Sequence, residues 1–470
     1  MEPVSNRVNR SAENRASPIC VVGAGYVGLV TAVCLADSGA QVRLLDIDRT
    51  RLAMLHDGRS PIHEPLLDEL LTSVLAGGRL TLHGEIAEAM NGAEVAILAV
   101  GTPELSDGRA DLSQVRRALG SAVAQASPGT VMVIKSTVPP GTTSALRPLS
   151  RRNGTVFPLV VCPEFLSEGS AVRDFRHPPQ LVVGGEDRVA CERVAALFGL
   201  VDVPTLITDS TSAELIKYGL NSFLALKISF INEMAQLCEL TDADVSSVAD
   251  GIGADPRIGR AFLGAGLGFG GSCFPKDVRA LDQAASYHGH SFWLLRAAVE
   301  VNSQQRSRFV AKIQNALRGS VSGKRIAVLG LAFKPGTDDV RQAASADVIR
   351  HLEDLGARVT ATDPVANQRA REILPLTKLV DDPYACVTGA DAVVLVTEWP
   401  EYVNLDWNQV ARLVRRPLVI DGRNCLDGPA LAAEGFTYIS VGRRAIKPPR
   451  AAIAKSEGAI RPRLVSAGGG

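Results

Sequence analysis

The stretch that most constrains this chain is the run Ile19-Cys20-Val21-Val22 followed at once by Gly23-Ala24-Gly25-Tyr26-Val27-Gly28. Four apolar residues predict a short buried strand. A helical pattern from Leu29 to Ser38 follows and is ended by Gly39, after which a second strand, Gln41 to Leu45, stops at Asp46. In this order Gly23 permits a tight turn, Gly25 lets the backbone approach a pyrophosphate at the helix N-terminus, and Gly28 allows close helix packing. Asp46, 18 residues after Gly28, is placed to accept from both hydroxyls of a ribose. An acid there repels a 2′-phosphate, so NAD is favoured over NADP, while Arg43 and Arg49 or Arg51 leave NADP as the alternative. The candidate cofactor residues of this unit are therefore Gly23, Gly25, Tyr26, Val27, Gly28, Asp46 and Arg51.

A chain of 470 residues is too long for one ordinary core and implies two or three domains. Fifty basic residues balance fifty acidic ones, which argues against a nucleic-acid partner. Eight scattered cysteines without a CxxC pair point to reduced thiols, and no metal is expected. No apolar run is long enough to span a membrane, and the polar N-terminus lacks the apolar stretch of a signal peptide, so a cytoplasmic protein is expected. Composition divides the chain into a disordered arm (1–17), a first α/β unit (18–208), a central helical segment (209–316), a second α/β unit (317–442) and a disordered basic tail (443–470).

Within the first unit, strands ending near Val100 and Lys135 run into Gly101-Thr102-Pro103 and Ser136-Thr137-Val138, at the strand ends where open α/β sheets bind ligands. Thr102 and Thr137 are candidate cofactor contacts; Thr142 and Thr143 read as helix caps. Arg59 to Pro65 reads as a plain loop. After Leu159 to Cys162 come Glu164 and Glu168, carboxylates able to act on water or a hydroxyl if burial lifts their pKa. Thr211 and Glu214 have capping-box spacing, and a helix of about 28 residues, apolar around most of its circumference, continues from them as a central strut. Lys217 and Asn221 share one of its faces.

The next distinctive run is Gly268-Phe269-Gly270-Gly271-Ser272-Cys273-Phe274-Pro275-Lys276-Asp277. Glycines that admit a ligand to the backbone, with polar groups beside a sulfur, describe a reactive thiol site in which Lys276 and Asp277 tune the thiolate. From Gly323 a second α/β pattern begins, with Gly330-Leu331-Ala332-Phe333-Lys334 where the first has its glycine triad. A second dinucleotide is not expected there; a different nucleotide is.

Taken together, the glycine fingerprint, KSTVPPGTT, CPEFLSEG, AELIKYGLN, DPRIGRAFL, GFGGSCFPKD, LGLAFKPGTDD and IDGRN resemble the UDP-glucose/GDP-mannose dehydrogenase family over residues 18 to 442. GFGGSCFPKD is most similar to members acting on UDP-glucose. The resemblance implies an α/β fold of two Rossmann-like domains joined by a long central helix that also builds a homodimer. It implies NAD-dependent oxidation of the sugar C6 alcohol to a carboxylate in two steps, through a Cys273 thiohemiacetal and thioester. By the same resemblance Lys217, Asn221 and Asp277 hold a water and the oxyanion, Thr137 and Glu164 contact the water, and Glu168, Lys276 and Arg341 lie near the cofactor. Phe165, Leu166, Arg257, Phe262, Phe269, Gly270, Phe333 and Lys334 contact the nucleotide sugar, and Arg423 reaches the sugar across the dimer. The same chemistry on GDP-mannose or a UDP-aminosugar is the alternative. A non-catalytic NAD- and nucleotide-binding regulator is disfavoured by the joint presence of Cys273, Lys217, Asn221, Asp277 and Glu164.

Overall fold

The computed structural model describes residues 18–198 and 203–449. The expected disordered arm, 1–17, lies outside the described residues. The chain forms two compact units, one from the residues up to 223 with 276–295, the other from 224–275 with the residues after 295. The helical segment expected at 209–316 is thus shared out between them.

The first unit is built on an eight-stranded sheet whose strands run in space Thr205–Thr208, Leu181–Gly184, Leu159–Val161, Val131–Ile134, Val95–Leu98, Ile19–Val22, Val42–Leu45, Leu80–His83. All neighbours are parallel except Leu159–Val161 against Leu181–Gly184. Ile19 and Val21 enter one core while Cys20 and Val22 enter the core on the opposite face. Burial on both faces is why the strand is continuously apolar and does not alternate. From Ile19–Val22 the chain winds outward through Val42–Leu45 and Leu80–His83, then returns to the other side at Val95–Leu98. Strand order therefore reverses at the C-terminal ends of Val22 and Leu98, where such sheets hold ligands.

The second unit repeats this winding in a six-stranded parallel sheet ordered Lys378–Leu379, Arg358–Thr362, Arg325–Leu329, Ala392–Leu395, Leu418–Asp421, Thr437–Ser440. Asp363, just past the second strand, stands where Asp46 stands in the first sheet. One of its oxygens accepts from Leu331 N–H (2.7 Å), Ala332 N–H (2.9 Å) and Trp399 Nε1–H (3.1 Å). The other accepts from the N–H groups of Val365 and Ala366. The Asp363 carboxylate is thus buried and committed to the turn that follows the first strand of this sheet.

The long helix is Ser210–Thr241, 32 residues. Its start corrects the capping-box reading. Asp209 accepts from Ser212 N–H (2.8 Å), while Glu214 leaves its own helix and accepts from Gly141 N–H (2.6 Å), Thr143 N–H (2.7 Å) and Thr143 Oγ1–H (2.6 Å). Thr143 is accordingly bound by the long helix. Residues 443–449, read from composition as tail, are folded: Ile446 pairs with Tyr438 and packs on the core, and Arg443 bonds Asp244. The rest of the tail, 450–470, lies outside the described residues.

Asp363→Ala leaves several buried N–H groups without an acceptor. It is expected to cost on the order of 3 kcal/mol of stability, read as a lower urea midpoint, while calorimetric NAD affinity stays at the parental value.

Candidate active site

In the first unit the glycine turn takes the shape its sequence demands. Gly23 has φ +101°, and a Cβ there would sit 2.8 Å from the Ala99 carbonyl oxygen. At Gly25, the N-cap of the helix Tyr26–Asp37, a Cβ would meet nothing within 4 Å, so its backbone faces open space beside the first-turn N–H groups of Tyr26, Val27 and Gly28. Asp46 is buried at the end of the second strand and accepts from Ala24 N–H (2.6 Å), Asp48 N–H (2.9 Å) and Arg51 Nη1 (2.8 Å). Arg51 thus belongs to Asp46, and Arg43 is turned to the carbonyls of Glu88 and Asn91. The Thr102 hydroxyl donates to the Thr137 carbonyl (3.0 Å), bringing the two strand-end turns together.

Lys217 meets Glu164 as an ion pair at 3.0 Å, with both side chains only 5% exposed. The Lys217 ammonium also lies 5.6 Å from the centre of the Phe165 ring, and Glu164 accepts from Leu166 N–H. Burial pushes the Glu164 carboxyl up. The charge and hydrogen bond of Lys217, the Leu166 N–H and the charge of Lys135 outweigh it and hold the carboxyl below its ordinary value. The condition set on the sequence, that burial lifts this pKa, is not met at Glu164, which is an ionised acceptor. Glu168 is buried nearby in sequence, before Gly169. One turn along the long helix, Asn221 Nδ2 donates to Asp277 (2.7 Å), whose other oxygen binds Lys276. The Lys276 charge is therefore engaged by Asp277.

In the second unit Cys273 is partly exposed, whereas six of the other seven cysteines are buried. Burial pushes the Cys20, Cys34 and Cys386 thiols up to about 12, and that of the partly exposed Cys425 higher still. Cys273 stands directly before the helix Phe274–Tyr287, beside Ser272 Oγ at 3.6 Å. A helix N-terminus favours negative charge placed against it. Phe262 is held at φ +65° with its ring open to solvent, 6.2 Å from that of Phe274. Phe269, expected in the sugar pocket, is buried edge-on to Phe274 and supports the loop from below. Arg257 pairs with Asp255 on a side chain that is 86% exposed, and Arg341 pairs with Asp339 (2.7 Å). Lys334 lies over the Phe333 ring. Arg423, expected to reach across a dimer, donates to the carbonyls of Val396 (2.6 Å) and Phe333 (3.2 Å) within its own unit.

Three models of the UDP-glucose/GDP-mannose dehydrogenase family match the chain in order: the NAD binding domain over residues 17–202, the central domain over 211–304 and the UDP binding domain over 327–428. The chain belongs to the UDP-glucose/GDP-mannose dehydrogenase family. Among its relatives, the UDP-glucose 6-dehydrogenase of Pseudomonas aeruginosa is 44% identical over 94% of this chain and 100% of its own length. TuaD of Bacillus subtilis, also named a UDP-glucose 6-dehydrogenase, is 42% identical over 91% of this chain and 94% of its own. The solved UDP-glucose dehydrogenase of Pyrobaculum islandicum superposes with a TM-score of 0.84 at 38% identity, covering 92% of this chain and 99% of that one. As in the family, the first unit is the NAD-binding domain and the protein is an NAD-dependent oxidoreductase. The open cradle at Gly25 and the carboxylate of Asp46 fit that cofactor.

Two residues of this family member escaped the sequence reading. Glu64, in the segment read as a plain loop, is buried; it accepts from the Tyr26 hydroxyl, Gly169 N–H (2.7 Å) and Ala171 N–H (2.8 Å), tying the glycine turn to the loop that carries Glu168. Lys135 is buried with its ammonium on the Cys162 carbonyl (3.2 Å) and 4.5 Å from the centre of the Phe198 ring. An apolar strand ending in lysine is a legible signal for such a charge; nothing in the Pro-rich run around Glu64 is.

The Glu164 pKa is depressed, so its ion pair stabilises the fold above the ordinary carboxyl value of 4.5, and that contribution is lost as pH falls through the folded value. Lys217→Met reverses the sign. Burial then raises the carboxyl, and stability is greatest in acid and falls as pH rises through the raised value. Urea midpoints from about pH 5 to 8 are expected to decline more steeply than the parent's, with a loss of about 3–5 kcal/mol near neutrality.

Proposed function

We propose that this protein oxidises the C6 alcohol of UDP-glucose to the carboxylate of UDP-glucuronate in two hydride transfers without releasing the aldehyde. The observation that carries the reading is a partly exposed thiol, Cys273, set directly before a helix whose first turn holds Asp277 bound to Asn221. NAD, when bound, accepts the hydride in each oxidation; Gly25, the opening turn of its helix and Asp46 hold it, beside Thr102 and Thr137.

In this reading the Cys273 thiolate adds to the aldehyde carbon, forming a C–S bond and an alkoxide and so supplying the tetrahedral carbon from which a second hydride leaves. The resulting thioester is hydrolysed, returning the thiol and releasing the acid. Lys217 offers an ammonium to the alkoxide and the later oxyanion, charges that grow toward the transition state. Asn221 and Asp277 orient the attacking water. Glu164, ionised by its lysine, accepts a proton from it, with Thr137 as a further hydrogen-bond partner. Phe165, Leu166 and Glu168 border the sugar; Phe262, Phe333 and Lys334 take the nucleotide, the lysine by its charge on the diphosphate. Arg257, exposed to solvent while paired with Asp255, is the candidate to reach a partner subunit.

A homodimer is part of the proposal. Phe223, Phe230 and Leu237 follow one another at seven-residue intervals on the long helix and are 63%, 50% and 51% exposed. An apolar stripe of that kind on an otherwise folded chain favours a second helix as its cover.

The relatives favour UDP-glucose over an aminosugar: the 42–44% identical proteins are named for UDP-glucose, whereas a Pyrococcus horikoshii UDP-D-ManNAc dehydrogenase is 29% identical. Incubation with NAD and each nucleotide sugar in turn is expected to yield NADH with UDP-glucose; turnover of another sugar in its place overturns the substrate. Cys273→Ser is expected to lose acid formation by at least about 10³-fold while retaining NAD affinity, and parental activity in that variant refutes the covalent role.

A further inference from the structure

The loop leading to Cys273 has almost no secondary structure of its own, yet its backbone is held by side chains at Gly266 and Phe269. Gly266 N–H donates to Asn232 Oδ1 (2.8 Å) and its carbonyl accepts from Gln305 Nε2 (2.7 Å). Three residues on, Phe269 N–H donates to Asn302 Oδ1 (2.7 Å) and the Phe269 carbonyl accepts from Asn302 Nδ2 (3.1 Å) and from Arg306 Nη2 (3.2 Å). Asn302 and Arg306 lie one turn apart on the helix Trp293–Ala316, so one helix face grips both backbone polar groups of a single residue.

The glycines of the loop show how little room the grip leaves. A Cβ at Gly268 would strike Asn302 Oδ1, one at Gly270 would strike the Gln342 carbonyl oxygen, and one at Gly271 would lie 2.7 Å from the Phe333 ring. Leu267 and Phe269, on either side of Gly268, are buried. The chain therefore threads edgewise between the helix and the segment from Phe333 to Gln342. Arg306 spans the slot: the Nη2 that reaches the Phe269 carbonyl also donates to the Gln342 carbonyl (3.2 Å), and Nη1 binds Asp347. Gln342 itself has φ +51°, a conformation rarely adopted by a side chain of its kind. Arg306 thus pins two backbones to each other, one running to Cys273 and the other from Phe333.

We propose that Asn302 and Arg306 are positioning residues for the reaction. Through the backbone N–H and carbonyl of Phe269 they hold the Cys273 loop in register with the Phe333–Gln342 segment, so that the thiol and the nucleotide-binding residues move as one body. This rests on the reading of Cys273 as the nucleophile. A thiol displaced by a fraction of an ångström still permits the first oxidation, which does not use it, but captures the aldehyde poorly. The signature is therefore a change in the course of the reaction as well as a slower one.

Asn302→Asp keeps the acceptor for Phe269 N–H and sets an oxygen against the Phe269 carbonyl; Arg306→Lys keeps the charge beside Asp347 but replaces the forked donor with a single ammonium. Each is assayed with UDP-glucose and NAD beside the parent and Cys273→Ser, with a semicarbazide trap for free aldehyde and thermal unfolding as the control. The expected result is a fall in kcat on the order of tenfold to a hundredfold with KM for NAD unchanged. NADH formed per sugar consumed should fall from two toward one as trapped aldehyde appears. Loss of folded enzyme alone lowers kcat and leaves that ratio at two, so the ratio separates positioning from stability. If Asn302→Asp unfolds, Arg306→Lys decides. Parental kcat and a ratio of two in folded variants, with Cys273→Ser inactive, overturn the positioning roles alone; acid formation by Cys273→Ser overturns the nucleophile and this inference together.

Discussion

The buried ion pair of Lys217 and Glu164 is the interaction around which the first unit is arranged. Neither charge is tolerable at that depth without the other, so the start of the long helix and the loop after the strand Leu159–Val161 must meet. The same helix face makes two further attachments of this kind. Glu214, three residues earlier, holds the turn at Gly141 and Thr143, and Asn221, four residues later, holds Asp277. Spacing of three and four residues puts all three side chains on one stripe of an α-helix. That stripe gathers a strand-end turn, an acidic loop and the helix that follows Cys273 against a single rigid element, and polar groups held in that way need little reorganisation when charge develops beside them.

Two sheets with the same winding have diverged at one carboxylate. In the first unit Asp46 stands beside an open glycine turn; in the second Asp363 is sealed beneath Trp399 and spends its lone pairs on the backbone of its own turn. The second sheet has another such acid in Asp421, buried and accepting from four successive backbone N–H groups and the Tyr438 hydroxyl, which shapes the loop that carries Arg423. The strand-end acid of one unit borders the open glycine turn, and those of the other serve loop architecture.

This division explains what was legible in the sequence. The glycine turn, the sheet-centre strands, the long helix and the pairing of Lys217 and Asn221 with polar partners follow from local pattern, because burial on both sheet faces and the helical period leave clear marks. The strands Leu80–His83, Thr205–Thr208 and Thr437–Ser440 left no such mark, since each lies at or next to a sheet edge and mixes polar with apolar residues. Glu214 carried the spacing of a capping box, but donors across the fold, at Gly141 and Thr143, take its carboxylate from its own helix. Glu64, Asn302 and Arg306 act on backbone groups of distant segments, and a backbone amide leaves no residue type behind to point to its partner. Phe269, which the family resemblance puts in the sugar pocket, is buried edge-on to Phe274.

In the proposed reaction the sugar carbon becomes bonded to the sulfur of residue 273. The most direct test of that bond is peptide mass spectrometry of enzyme quenched in acid during steady-state turnover with UDP-glucose and NAD. The account predicts that the peptide containing Cys273 carries the mass of the nucleotide-sugar acyl group, and that the adduct disappears when substrate is exhausted. An unmodified Cys273 peptide throughout turnover, or an adduct on another residue, would contradict it.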